Sequence, residues 1–163
     1  MRLAANKRVS DDLSVKSIPY QERIVNTNMK IKPNLQFSVL CDDVRREENG
    51  KFMLIGLFEA INSRKFPATH PSMFVVNRWC KGEGAFRQKI RIVNSRDNAL
   101  VFQTDEQAFE LVDIDRHHTL VSKFNNLLFP APGKYWVELL LDGELFLNYP
   151  ILLKEVAGEP HPS

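Results

Sequence analysis

Three features of this 163-residue sequence predict an all-β fold, an antiparallel β-sandwich of Ig-like or jelly-roll-like arrangement. About nine short β-prone runs, punctuated by turn residues, recur at the spacing of sandwiches and barrels. No segment sustains a 3.6-residue apolar period, so no helical layer is expected. The stretch 129–153 reads as a closing hairpin, because Asp142-Gly143 tolerates the positive φ that a type I′ turn needs at both central positions. The preceding Phe129-Pro-Ala-Pro-Gly-Lys-Tyr135 resembles a sandwich corner, where a tyrosine after a tight turn tucks its ring beneath the loop.

Taken in order, residues 1–33 lack a steady apolar period and end in Lys32-Pro33. They read as an N-terminal arm, with a short helical turn near 11–16. The sandwich domain spans 34–156, and 157–163 is a loose C-terminal tail of proline and polar residues. Within the domain, 35–41 and 52–58 flank Asn49-Gly50, which is expected to close a two-residue hairpin. Residues 73–80 form the next strand. Gly82-Glu83-Gly84 then turns the chain into 85–93, where Phe86, Ile90 and Ile92 point one way and Arg87, Lys89 and Arg91 the other. Short strands follow at 99–103 and 108–112, then a longer one at 119–128. The closing hairpin, 134–141 and 145–153, completes the set.

The composition fits one folded domain: 44% hydrophobic and 26% charged residues are ordinary proportions for a soluble chain of this length. A net charge of +2 gives no argument for nucleic acid or an anionic membrane. No run approaches the roughly 18 apolar residues of a membrane span. The first ten residues are polar and basic with no apolar stretch behind them, so a cytoplasmic protein is expected. Cys41 and Cys80, both in apolar strand contexts, are then expected as buried, unpaired thiols.

At this point a resemblance emerges. Cys41-Asp42-Asp43-Val44-Arg45 followed by Gly50-Lys51-Phe52-Met53-Leu54-Ile55-Gly56-Leu57-Phe58 resembles the opening hairpin of an uncharacterised group of small bacterial proteins, a domain of unknown function. The stretch Phe129 through Gly143 is similar to that group's closing hairpin. The likeness covers roughly 35–156. It implies a sandwich-like fold and a bacterial or phage-associated origin, and supplies no catalytic residues.

Several constellations carry possible chemistry. Asp42 and Asp43 alternate faces on a continuous strand, so both cannot serve one reacting atom unless a bulge intervenes. The plainer expectation is that one pairs with a nearby arginine and the other faces water. Asp113, Asp115 and His117 fall at period 2, as a metal site on a strand face would, but the first and last would be about 13 Å apart at roughly 3.3 Å per residue. Zinc needs all its ligands near 2 Å, so a polar loop is expected there, with no metal and no cofactor. The basic stripe Arg87, Lys89 and Arg91, with Arg78 and Lys81 nearby, would suit an acidic partner, or is simply a solvated face. No aromatic shares it, so nucleic acid is not expected. There is no Gly-x-Ser-x-Gly elbow, Walker loop or Gly-x-Gly-x-x-Gly, so nothing argues for an enzyme.

The functional expectation rests on the closing hairpin. A two-residue loop would set Leu141 opposite Glu144, Leu139 opposite Phe146 and Trp136 opposite Tyr149. Tyr135, Val137, Leu139 and Leu141 would then face inward with Phe146. Trp136, Leu140, Leu145, Leu147 and Tyr149 would form an outward apolar face. Such a patch needs cover, from a protein partner, a second copy, the arm or a closed barrel. The leading expectation is therefore a non-enzymatic binding or assembly module. Alternatives are a small-ligand or carbohydrate binder with Trp79, Trp136 and Tyr149 around a loop cleft, or a hydrolase or metal enzyme around Asp42/Asp43 or Asp113/Asp115/His117.

Overall fold

The β-prone runs form ten strands in the computed structural model, which describes residues 29–158. These are β1 (Asn34–Arg46), β2 (Phe52–Leu57), β3 (Ala60–Ser63), β4 (Ala68–Cys80), β5 (Gly84–Asn94), β6 (Leu100–Gln103), β7 (Gln107–Leu111), β8 (His118–Phe129), β9 (Gly133–Leu141) and β10 (Glu144–Glu155). One sheet has the order β2-β1-β4-β8; the other runs β3-β10-β9-β5-β6, with β7 beside β6 on the free edge of β5. The pairings are antiparallel except β3 with β10. This is the expected all-β sandwich. β3 is the strand that patterning missed: four residues, Ala-Ile-Asn-Ser, are too short to show alternation, and their partner lies some ninety residues onward in parallel register.

Alternation decides what is buried. On β5, Phe86, Ile90 and Ile92 enter the core while Arg87, Lys89 and Arg91 face out. They meet Tyr135, Val137 and Leu139 of β9 and, from the opposite sheet, Leu40, Met73, Val75, Trp79 and Phe124. The core also holds polar groups, which are tied together. The Gln88 carboxamide oxygen accepts from Trp79 Nε1 (2.9 Å) and Asn77 Nδ2 (3.2 Å), and Gln88 Nε2 donates to Gln107 Oε1 (2.8 Å).

The corner forms as expected. Tyr135 is fully buried, its hydroxyl donates to the Ala131 carbonyl (2.8 Å), and its ring meets Phe129 edge-on at 5.1 Å. The closing turn has φ of 49° at Asp142 and 83° at Gly143, with Leu141 opposite Glu144. The first hairpin differs from expectation. Gly50 N–H donates to the Glu47 carbonyl and Glu47 N–H to the Lys51 carbonyl, both at 2.9 Å, which gives a three-residue loop, Glu48-Asn49-Gly50. Only Gly50, at φ 85°, takes the left-handed conformation. A normal turn followed by a left-handed glycine is the next commonest hairpin solution, and Asn49 instead caps it by accepting from Lys51 N–H.

The last residues of the arm are pinned to the domain. Ile31 and Glu83 exchange backbone hydrogen bonds, Lys30 pairs with Asp142, and Pro33 lies where a Cβ on Gly82 would stand. The helical turn near 11–16 and the tail beyond 158 lie outside the described residues.

Candidate functional site

The closing hairpin does not present the expected apolar face. A register shift between Leu145 and Leu147 leaves Phe146 as an extra residue on β10, so Leu139 faces Leu147, Val137 faces Tyr149, and Trp136 faces Pro150. The slip sends Tyr149 inward with Val137, since a one-residue shift exchanges the faces of a strand. Its hydroxyl accepts from Ser38 Oγ (2.9 Å) on the opposite sheet, and burial pushes its pKa up to about 12. Leu140 is buried, and Trp136 is half-buried beneath the Lys134 ammonium at 5.3 Å. Leu145 (54% exposed) and Leu147 (38%) alone remain open from the predicted five. The aromatic trio also disperses. Trp79 is fully buried against Phe109 and Phe146, so it cannot frame a loop cleft with Trp136 and Tyr149.

The β5 stripe is largely neutralised by its neighbours. Arg91 pairs with Glu138 across the β5–β9 ladder (2.6 Å) and Arg87 pairs with Glu106 (3.1 Å). Arg78 does not join that stripe; it belongs to β4, in the other sheet. The acidic candidates resolve into local structure. Asp43 accepts from Arg45 Nε (3.0 Å), which holds its carboxyl below the ordinary range, while Asp42 is exposed. Asp113 folds the β7–β8 loop on itself by accepting from Asp115 N–H and Arg116 Nε, so the run is a loop and not an extended strand. Among the described residues no three His, Cys, Asp or Glu side chains are placed to share a metal ion, and no helix is long and apolar enough to cross a membrane. Cys41 and Cys80 are buried free thiols. Burial first, and Asp42 and Asp43 next, push the Cys41 thiol up, away from the thiolate a nucleophile needs.

What the sequence did not reveal is a cleft on the other sheet. β1 pairs with β4 only as far as Cys41; beyond it, β1 and β2 continue as a free hairpin. Gly56 takes φ 69° in β2, and a Cβ there would collide with the Asp42 carboxylate, so the hairpin depends on glycine at this point. Val76 lies on the side of β4 away from the core residues Val75 and Trp79, yet it is fully buried. The hairpin and this outer face together line a cleft of about 830 Å³. Phe52 and Leu54 on the hairpin, with Phe37 and Val76 on the sheet, supply its apolar walls. Its charged or titratable lining is Arg46, Lys51, Arg78, His117 and His118, with no carboxylate. Among the described residues, none of Arg46, Lys51 and Arg78 is in an ion pair. Arg78 Nε is buried with no hydrogen-bond partner among the described residues, and the Arg46 guanidinium lies over the Phe52 ring at 4.7 Å. Five residues from three separated segments make this cluster, and spacing along the chain could not have assembled them.

The model of a family of unknown function, DUF6941, matches residues 36–154, nearly the span of the resemblance to an uncharacterised domain. No curated protein matches the chain.

Proposed function

Because the chain belongs to the DUF6941 family of unknown function, its role must be argued from its own surface, and we propose that it is a non-enzymatic module that binds an anionic ligand in the cleft under the β1–β2 hairpin. The observation that carries this reading is the one-signed lining: three cations in no ion pair among the described residues and two histidines, with no acid in the lining. Concave sites walled by low-dielectric groups concentrate the field of such charges and favour a counter-charged ligand. The buried Arg78 Nε, without a partner among the described residues, adds a donor that an entering acceptor would satisfy. Titration calorimetry with pyrophosphate at low salt tests it. Saturable binding that weakens with salt and falls at least tenfold in Arg78→Gln is expected; binding unchanged by that substitution removes the cleft from the reading.

A second reading keeps the closing hairpin as a protein-docking or self-assembly surface. It is favoured by the exposure of Leu145 and Leu147, which flank the Phe146 bulge on β10. On this reading the Leu145→Lys/Leu147→Lys double variant stays folded but elutes as a smaller species than wild type on a sizing column. An unchanged elution volume counts against self-assembly through this hairpin.

A further inference from the structure

We infer that the cleft takes a ring-bearing phosphate of mononucleotide kind, with its planar ring on the Arg46–Phe52 stack and its phosphate on Arg78; this deepens the anionic-ligand reading and rests on it. Four observations lead there.

The first is the stack. The Arg46 guanidinium lies 4.7 Å from the centre of the Phe52 ring and is exposed, and planar bases stack on guanidinium groups as they do on aromatic rings. Phe37, on the sheet side of the cleft, gives a second apolar surface to the same space. The second is Arg78. Phosphate oxygens match the guanidinium fork and satisfy the Nε that has no partner among the described residues.

The third is size. About 830 Å³ falls in the range of sites for whole organic ligands, and a bare phosphate would leave the phenylalanine walls untouched. The fourth is how the charge ends. The next cation along the hairpin, Arg45, is already paired with Asp43, and Lys123 lies over Phe74 at 5.6 Å. Within the cleft, by contrast, Arg46, Lys51 and Arg78 converge on one concave space, where a nucleic-acid strand needs an extended groove. A simple sugar would leave the cations unanswered, and a small dicarboxylate would leave the ring surfaces unused.

The experiment is calorimetry on the full chain with AMP, adenosine, inorganic phosphate and decathymidylate, each against wild type, Arg78→Gln, Phe52→Ala and Arg46→Gln. Folding of each variant is checked by its melting transition. Arg46 and Phe52 lie on the hairpin outside the sandwich core, so these variants keep the test decisive if Arg78→Gln fails to fold. AMP is expected to bind at least tenfold tighter than either phosphate or adenosine. Arg78→Gln should bring AMP down to the level of adenosine, and Phe52→Ala or Arg46→Gln should bring it down to the level of phosphate. If phosphate binds and AMP binds no tighter, the ring assignment is overturned while the anionic reading stands. If neither phosphate nor AMP binds, both fall. If decathymidylate binds a hundredfold tighter than AMP, the mononucleotide class is wrong.

Discussion

Tyr149 shows what one side chain decides. A slip of one residue on β10 turns it from the outer face to the interior, where Ser38 donates to its hydroxyl. Burial keeps it protonated up to about 12, against an ordinary 10.0, with the Ser38 hydrogen bond opposing part of the rise. The sign of the linkage follows. Between about pH 10 and 12 the unfolded chain has lost this proton and the folded chain has not, so the unfolded state binds fewer protons and stability falls as pH rises. A two-unit shift corresponds to at most about 2.7 kcal/mol. Denaturant unfolding from pH 9 to 12 should therefore show a steeper loss in wild type than in Tyr149→Phe, which has no proton to lose. Parallel profiles would mean that the hydroxyl is solvated. Asp142 has the opposite sense: burial pushes its carboxyl up, but Lys30 and the Arg87 amide outweigh this and hold it low, so its contribution fades only in acid.

At the scale of elements, the β1–β2 hairpin is the part on which the site depends, and Gly56 is its weak point. Alanine there meets both a left-handed φ and the Asp42 carboxylate. Gly56→Ala is expected to destabilise by about 1–3 kcal/mol, and removing the obstruction in Asp42→Ala/Gly56→Ala should restore part of that loss. Chemical denaturation of the four members of this cycle measures it; a Gly56→Ala variant within about 0.5 kcal/mol of wild type contradicts the account. The same scale shows what the sequence could reveal. Asp142-Gly143 and the Tyr135 corner were legible because their chemistry is local, set by dihedral preference and by a hydrogen bond four residues away. The inward set of β5 was legible from strict alternation. Phe146 was not, because a bulge breaks the period of two without a sequence marker. Asn126 was not either: with φ 52° it shifts the buried set on β8 from residues 122 and 124 to 127 and 129. The cleft stayed hidden because Arg46, Arg78 and His117 meet only after the hairpin and the β7–β8 loop converge.

For the whole molecule, the two sheets differ in how their outer faces are finished. The six-stranded sheet pairs two cations of its basic stripe with Glu106 and Glu138, whereas the four-stranded sheet carries a hairpin over cations in no ion pair among the described residues. A protein with no need for those cations would gain by pairing them, since like charges gathered in a concave site repel one another. The central claim is that this gathering binds an anion. Pyrophosphate titration followed by backbone amide shifts in a two-dimensional NMR spectrum tests it most directly. The account predicts saturable shifts at Phe37, Arg46, Phe52, Arg78 and His118, with the Arg87–Arg91 face and Leu145 unmoved. Shifts confined to the β5 stripe, or none at the cleft residues at millimolar pyrophosphate, would contradict it.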